Sequence, residues 1–173
     1  MTSLRLPRPR ALICDLDQTL VDTRALKALR SRRAWSQVYA EISRCSPVPG
    51  VHEFMKAIAP LPVAVVTNSP SAYAEKVLAH FGIRHDQLVA YHDVKNRKPH
   101  PEPFHLALQK LGLEASDVWS IGDQPEDVIA SRAAGIRTII ALSAACDDLA
   151  ALLSAKPHFH VRDWTGLSLA IGG

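Results

Sequence analysis

The sequence predicts an α/β protein built on a doubly wound parallel sheet. Three observations carry that reading: short apolar runs alternate with helical patterns, the runs lack polar alternation, and proline and glycine punctuate the helix boundaries. The runs at residues 11–14, 63–66, 88–91, 118–121, 138–142 and 159–161 read as strands covered on both faces. Between them, residues 51–59, 70–81, 103–111, 125–134 and 148–155 read as helices. Ser69 is placed to cap the second of these with Pro70 at its first position, and Gly82, Gly112 and Gly135 stand just past helix ends. Strand and helix in alternation imply right-handed crossovers, which lay the strands parallel.

Residues 23–46 break the alternation and read as a short helical insertion within one domain spanning residues 1–173. Trp35, Val38, Tyr39 and Ile42 recur at i, i+3, i+4 and i+7, a stripe that reads as a packing face. Pro47, Pro49 and Gly50 mark the exit.

With 173 residues, 47% of them apolar, the chain can bury a real core, and disorder is excluded as its default state. The net charge of +3 is mild but uneven, since Arg5, Arg8, Arg10, Arg24, Lys27, Arg30, Arg32 and Arg33 crowd the first 33 residues. Such a face attracts anions in general and names no particular partner. Residues 2–10 lack the apolar stretch of a secretory signal, and no run reaches the length of a membrane span, so a soluble, cytoplasmic protein without a membrane partner is expected. Cys14, Cys45 and Cys146 are odd in number and far apart, which fits reduced packing residues better than a disulfide framework or zinc site. The eight histidines form no ligand pattern, and His158 and His160 read as structural.

The chemistry-bearing residues fall at the ends of successive strands, the edge where open α/β sheets bind ligands. Asp15 and Asp17 close the first run; in an extended segment, residues two apart project to one side, so both carboxylates are expected to face one crevice. Thr67, Asn68 and Ser69 follow the second run, where a hydroxyl and the amides opening a helix could hold a phosphate. Lys98 lies beyond the third, placed to neutralise an anion. Asp123 stands at the tip of the fourth, with Asp127 one helical turn on. Four carboxylates at one site call for a divalent cation, and an oxygen-only set favours magnesium.

D-L-D-Q-T-L, V-V-T-N-S, K-P and G-D-Q-P-E-D, in this order, resemble the four motifs of the haloacid dehalogenase-like superfamily, in particular its phosphoglycolate-phosphatase-like branch. The resemblance spans residues 11–142 and extends to P-G-V-H-E-F at 49–54 and A-A-G-I at 133–136. It implies a Rossmann-like fold with a reduced cap at residues 23–46, and a magnesium-dependent phosphatase that hydrolyses a phosphate monoester through an aspartyl-phosphate. Asp15 would be the nucleophile. Asp17 would protonate the leaving oxygen, later deprotonate water, and lend its backbone carbonyl to the metal. Thr67 and the Asn68 amide would contact phosphoryl oxygens, Lys98 would neutralise Asp15 and the transferring group, and Asp123 and Asp127 would complete the metal site. The second aspartate points to phosphoryl transfer, since the dehalogenase relatives have no carboxylate there. One departure stands out: where the family commonly has glycine, this chain has Gln18, which bears on substrate choice more than on the chemistry.

So short a cap, about 24 residues, leaves the site open or covered by a second chain. A phosphorylated substrate, small or bulky, is expected, with a homodimer through the Trp35 stripe as one way to close the site; a mutase, which must retain its intermediate, is disfavoured. The nearby arginines admit a phosphorylated nucleic-acid end as an alternative substrate, although no aromatics interleave with them as stacking platforms would. A non-catalytic binding or signalling domain of the same fold is the other alternative. A receiver domain, however, would need no acids after its lysine.

Overall fold

A computed structural model describes the chain at residue 6 and residues 8–171. Residues 1–5 and 7, which include Arg5 and much of the segment read for a secretory signal, lie outside the described residues. Six parallel strands form the central sheet: β1 (Ala11–Cys14), β4 (Val63–Val66), β5 (Gln87–Val89), β6 (Val118–Gly122), β7 (Thr138–Leu142) and β8 (Phe159–Val161). Their spatial order is β5-β4-β1-β6-β7-β8. The chain starts in the middle, winds outward through β4 and β5, then crosses back to β6 and winds the other way. The point of reversal lies between β1 and β6, where the carboxyl ends of the strands open a crevice.

Every residue of β1, β4, β6 and β7 is buried, because both faces of the sheet are covered. Side chains alternate between two layers. Leu12, Cys14, Val63, Val65 and Ile121 face one core with α3 (Val51–Ala57), α4 (Ser71–His80) and α8 (Trp164–Ile171). Ala11, Ile13, Ala64, Val66 and Ile139 face the other, with α5 (Glu102–Leu111), α6 (Pro125–Ala133) and α7 (Leu149–Ser154). The run expected at 88–91 forms its strand one residue earlier and ends at Val89. None of the helices among the described residues is long and apolar enough to cross a membrane.

The insertion is a pair of short helices, α1 (Lys27–Ser31) and α2 (Trp35–Ala40), flanked by 3₁₀ turns at Arg24–Leu26 and Ile42–Arg44. Its stem is a two-residue antiparallel ladder, β2 (Val21–Asp22) with β3 (Ser46–Pro47), too short to leave any periodicity in the sequence. The Trp35 stripe turns inward. Val38 and Ile42 are buried, and Trp35 packs beside Tyr39 and Tyr73 at ring separations of 6.3 and 6.2 Å. The face considered for a dimer is therefore used within the chain. Three of the arginines and lysines there are likewise engaged: Arg24 pairs with Asp22, Lys27 with Asp147 and Arg30 with Asp17.

Helix α8 was not among the expected elements, although Asp163, whose carboxylate accepts the Gly166 N–H at 3.0 Å, is a starting signal legible in the sequence. Its Trp164 is fully buried, lies 5.0 Å from the Phe54 ring and donates from Nε1 to the Thr19 carbonyl at 2.8 Å. The close approach of α8 requires Gly50, which sits at φ +82; a Cβ there would stand 2.5 Å from the Thr165 backbone nitrogen. Trp164→Ala removes both the packing and the hydrogen bond. It is expected to lower unfolding free energy by about 3–5 kcal/mol, read as a lower urea midpoint at unchanged m-value.

Candidate active site

Lys98 organises the crevice. Its ammonium donates to Asp15 Oδ1 at 2.6 Å, Asp127 Oδ1 at 2.7 Å and the Val66 carbonyl at 2.9 Å, so it joins the ends of β1, β4 and β6. Burial alone would favour loss of its proton, but the carboxylates of Asp127 and Asp15 outweigh that and hold the ammonium above its ordinary range. The backbone of Lys98 is fixed by Asn68, whose side chain gives and takes one hydrogen bond with it, Nδ2 to the carbonyl at 3.1 Å and N–H to Oδ1 at 3.2 Å. The Asn68 side chain is thus committed to the lysine loop. Its backbone N–H has no partner among the described residues.

Asp15, Asp123 and Asp127 bring carboxylate oxygens within 4.8 Å of one another. Asp127 Oδ2 accepts the backbone N–H groups of Asp123 at 3.2 Å and Gln124 at 3.0 Å, so the same side chain starts α6 and faces the site. Gly122 makes room for it: a Cβ there would stand 2.4 Å from the Asp127 Cβ. Asp123 is held by Thr19 Oγ1 at 2.8 Å and Gln124 Nε2 at 2.7 Å. Asp15 Oδ2 keeps no hydrogen-bond partner among the described residues. Burial first, then the neighbouring carboxylates, push Asp15 up to about 7 against the pull of Lys98, and Asp123 up to about 9. Three clustered carboxylates facing one ammonium are an oxygen-donor set still short of positive charge, which fits a divalent ion such as magnesium.

Asp17 reaches the same cavity as Asp15, but not by the extended geometry expected. The chain leaves extended geometry after Cys14 and turns tightly, the Leu16 carbonyl accepting from Thr19, Leu20 and Val21. The Asp17 carboxylate therefore stands outside the trio and faces the cap. It accepts from Thr23 Oγ1 (2.6 Å), Tyr73 Oη (2.7 Å), Ser69 Oγ (2.7 Å) and both terminal nitrogens of Arg30 (2.8 and 3.1 Å). Ser69 does not cap α4 as expected, because Pro70 occupies that position and the serine hydroxyl is spent on Asp17. Arg30, read as part of a solvated basic face, instead lies 4.6 Å over the Tyr73 ring with both arms in the site. Burial and the Asp17 charge keep the Tyr73 phenol protonated well above its usual range. Tyr73 was missed, though its place one turn after Ser69 on a helix opening at the crevice is a legible signal.

Thr67 Oγ1 accepts the Ser69 N–H at 3.0 Å, leaving its own proton available. All seven residues singled out from the sequence, namely Asp15, Asp17, Thr67, Asn68, Lys98, Asp123 and Asp127, line one cavity of about 730 Å³, with Arg30 and Trp35 on its cap side. Gln18 lines it too, held at φ +63. That left-handed conformation costs a residue with a Cβ on the order of 1 kcal/mol.

The family profile described as haloacid dehalogenase-like hydrolase matches residues 26–141. Over 81 residues the chain is 42% identical to the phosphoglycolate phosphatase of Pectobacterium atrosepticum, covering 46% of this chain and 35% of that protein. It is 33% identical over 129 residues to the fructose-1-phosphate phosphatase YqaB of Escherichia coli, covering 73% of this chain and 67% of that protein. The chain thus aligns with about a third of the first relative's length. The crystal structure of a predicted phosphoglycolate phosphatase from Haemophilus somnus 129PT superimposes with a TM-score of 0.81 at 21% identity, covering 97% of this chain and 100% of that one, which shows a shared fold.

The raised carboxylates set a pH dependence in the metal-free protein. As pH rises above the ordinary 3.8, the unfolded chain releases these protons first, while the folded protein holds them to about 7 at Asp15 and about 9 at Asp123. The stability they contribute is complete below the ordinary value and is lost as pH climbs through the raised ones. In chelator, the urea midpoint of the wild type is expected to fall more steeply between about pH 5 and about pH 9 than that of Asp123→Asn. Parallel curves for the two proteins would contradict this.

Proposed function

Because the chain belongs to the haloacid dehalogenase-like hydrolase family, we propose that it is a magnesium-dependent phosphatase, hydrolysing a phosphate monoester through an aspartyl-phosphate on Asp15. The observation that carries this reading is the buried Lys98 ammonium held against Asp15, whose second oxygen is left without a partner at the cavity. A carboxylate attacks phosphorus only where charge repulsion is cancelled, and Lys98 supplies part of that cancellation. Asp15, Asp123 and Asp127, with the Asp17 backbone carbonyl, would hold magnesium, which when bound offsets charge on the carboxylates and the phosphoryl oxygens.

In the first displacement, Asp15 Oδ2 forms a bond to phosphorus while the bond to the ester oxygen breaks, and protonated Asp17 gives its proton to that oxygen. In the second, Asp17 takes a proton from water as the water oxygen bonds to phosphorus and the Asp15–phosphorus bond breaks, releasing phosphate. Thr67 donates its free hydroxyl proton, and the Asn68 backbone N–H its own, to phosphoryl oxygens. For Asp17 to reach the ester oxygen it must rotate away from Thr23, Arg30, Ser69 and Tyr73. The substrate is a phosphorylated small molecule: the relatives are named for such substrates, and a cavity of about 730 Å³ with Lys27, Arg30 and Arg33 on its cap side accommodates one.

A screen of phosphate esters with magnesium is expected to show turnover by the wild type, reduced at least ~10⁴-fold in Asp15→Asn, which removes the nucleophile at nearly constant volume. Chelation is expected to abolish turnover and added magnesium to restore it. Near-normal activity in Asp15→Asn would reject the mechanism. Asp17→Ala is expected to slow both formation and breakdown of the phosphoenzyme by ~10²–10⁴-fold in rapid-quench experiments; normal rates for the two steps would remove Asp17 from the acid/base role.

A further inference from the structure

Carboxylates crowded within 4.8 Å repel one another, so Asp15, Asp123 and Asp127 face inward together only if each is tethered there. Asp15 and Asp127 share the Lys98 ammonium. Asp123 takes no hydrogen bond from a cation among the described residues; its tethers are the Thr19 hydroxyl at 2.8 Å and the Gln124 amide at 2.7 Å. Gln124 is its neighbour in sequence and moves with it. Thr19 belongs to the turn after β1, so its hydroxyl ties Asp123 to the segment that carries Asp15 and Asp17.

The grip of Thr19 on Asp123 is only as firm as the backbone of that turn. The Thr19 N–H gives a long bond to the Leu16 carbonyl, 3.3 Å, and the preceding residue, Gln18, holds a left-handed φ of +63 that a side chain keeps only where its surroundings impose it. No backbone N–H is bonded to the Thr19 carbonyl among the described residues; its donor is the Trp164 indole, Nε1 to oxygen at 2.8 Å. Thr19 and Trp164 are both fully buried, which shields this bond from competition by water. The indole is itself fixed, by its 5.0 Å packing against Phe54 and by the bond of the Trp164 backbone N–H to the Pro49 carbonyl at 3.2 Å. Trp164 does not line the cavity, so its influence there passes through Thr19.

We propose that Trp164 is a positioning residue for the metal site. Its indole N–H holds the Thr19 carbonyl, which sets the Thr19 hydroxyl on Asp123 Oδ1 and keeps that carboxylate turned toward Asp15 and Asp127. A helix near the carboxyl end of the chain thereby contributes to magnesium affinity without reaching the ion. This rests on the reading of the three carboxylates as magnesium ligands. Groups that orient a ligand directly govern metal affinity strongly, and a group one bond further out does so less.

The test is calorimetric titration of magnesium into the chelator-stripped full chain, at a temperature where every variant is folded. Trp164→Phe keeps an aromatic ring beside Phe54 and removes the donor, and is expected to raise the magnesium Kd by about 3–10-fold. Thr19→Val, of nearly the same shape without the hydroxyl, is expected to raise it by about tenfold or more. In the Thr19→Val background, Trp164→Phe is expected to add less than about twofold, because the link through which it acts is already cut. Leu167→Ala, equally buried on the same helix, is expected to lower the urea midpoint and leave the Kd unchanged. If Trp164→Phe does not fold, the 3-benzothienyl analogue of tryptophan at residue 164, with sulfur in place of N–H and the same outline, takes its place with the same expected rise. An unchanged Kd in the residue 164 variant, an equal rise in Leu167→Ala, or additive effects of the two substitutions overturns this proposal alone. A wild type that takes up no magnesium overturns the metal reading with it.

Discussion

A single ammonium, that of Lys98, sits where three strands end. Burying a cation is costly unless it is paired and fully hydrogen-bonded, and here the partners come from the tip of β1, the last residue of β4 and the first turn of α6. Those groups meet only if β4, β1 and β6 are neighbours in the sheet, as they are. Removing one carboxylate would leave the others facing an altered charge balance, and removing the lysine would leave the carboxylates facing only one another. Topology and site are thus parts of one electrostatic arrangement, with Asn68 fixing the lysine's backbone from the end of the neighbouring strand.

The turn after β1 is the second constraint, and its support comes from far along the chain. Leu16 gathers three backbone donors, Gln18 takes a left-handed conformation, and Thr19 reaches across to Asp123. Trp164, near the carboxyl end, donates to the Thr19 carbonyl and so braces this turn from below. The cap closes on it from the other side, with Arg30 reaching Asp17 and Ser69 while the aromatic stripe packs against Tyr73. A short insertion can therefore govern the orientation of Asp17 without enclosing the cavity. Of its basic side chains Arg30 is turned inward onto Asp17, while Arg24, Lys27, Arg32 and Arg33 remain exposed.

The central strands were legible because both their faces are buried. Ala11–Cys14, Val63–Val66 and Thr138–Leu142 are uninterrupted apolar runs for that reason, and the structure has them at the positions read from the sequence. The ladder of Val21–Asp22 with Ser46–Pro47 left no comparable trace, since two residues have no period. Helix α8 is apolar along most of its length, with Gly166 inside it, which blurred the helical pattern that its Asp163 start would otherwise have announced. Among the site residues, Asp15, Lys98, Asp123 and Asp127 were placed together by their positions at strand ends. The hydrogen-bond partners of Asp17 and the engagement of Ser69 were not legible, because both depend on Arg30 and Tyr73 arriving from elsewhere.

By itself, the sequence determined the layer architecture, the strands, and which carboxylates and which lysine occupy the carboxyl edge, because periodicity and strand ends are local properties of the chain. Only the tertiary structure decided which of those groups touch. Hydrogen-bond geometry among buried groups is set to within tenths of an ångström by packing between segments remote in sequence. That is why Asp17 faces Arg30 and why one oxygen of Asp15 has no partner among the described residues.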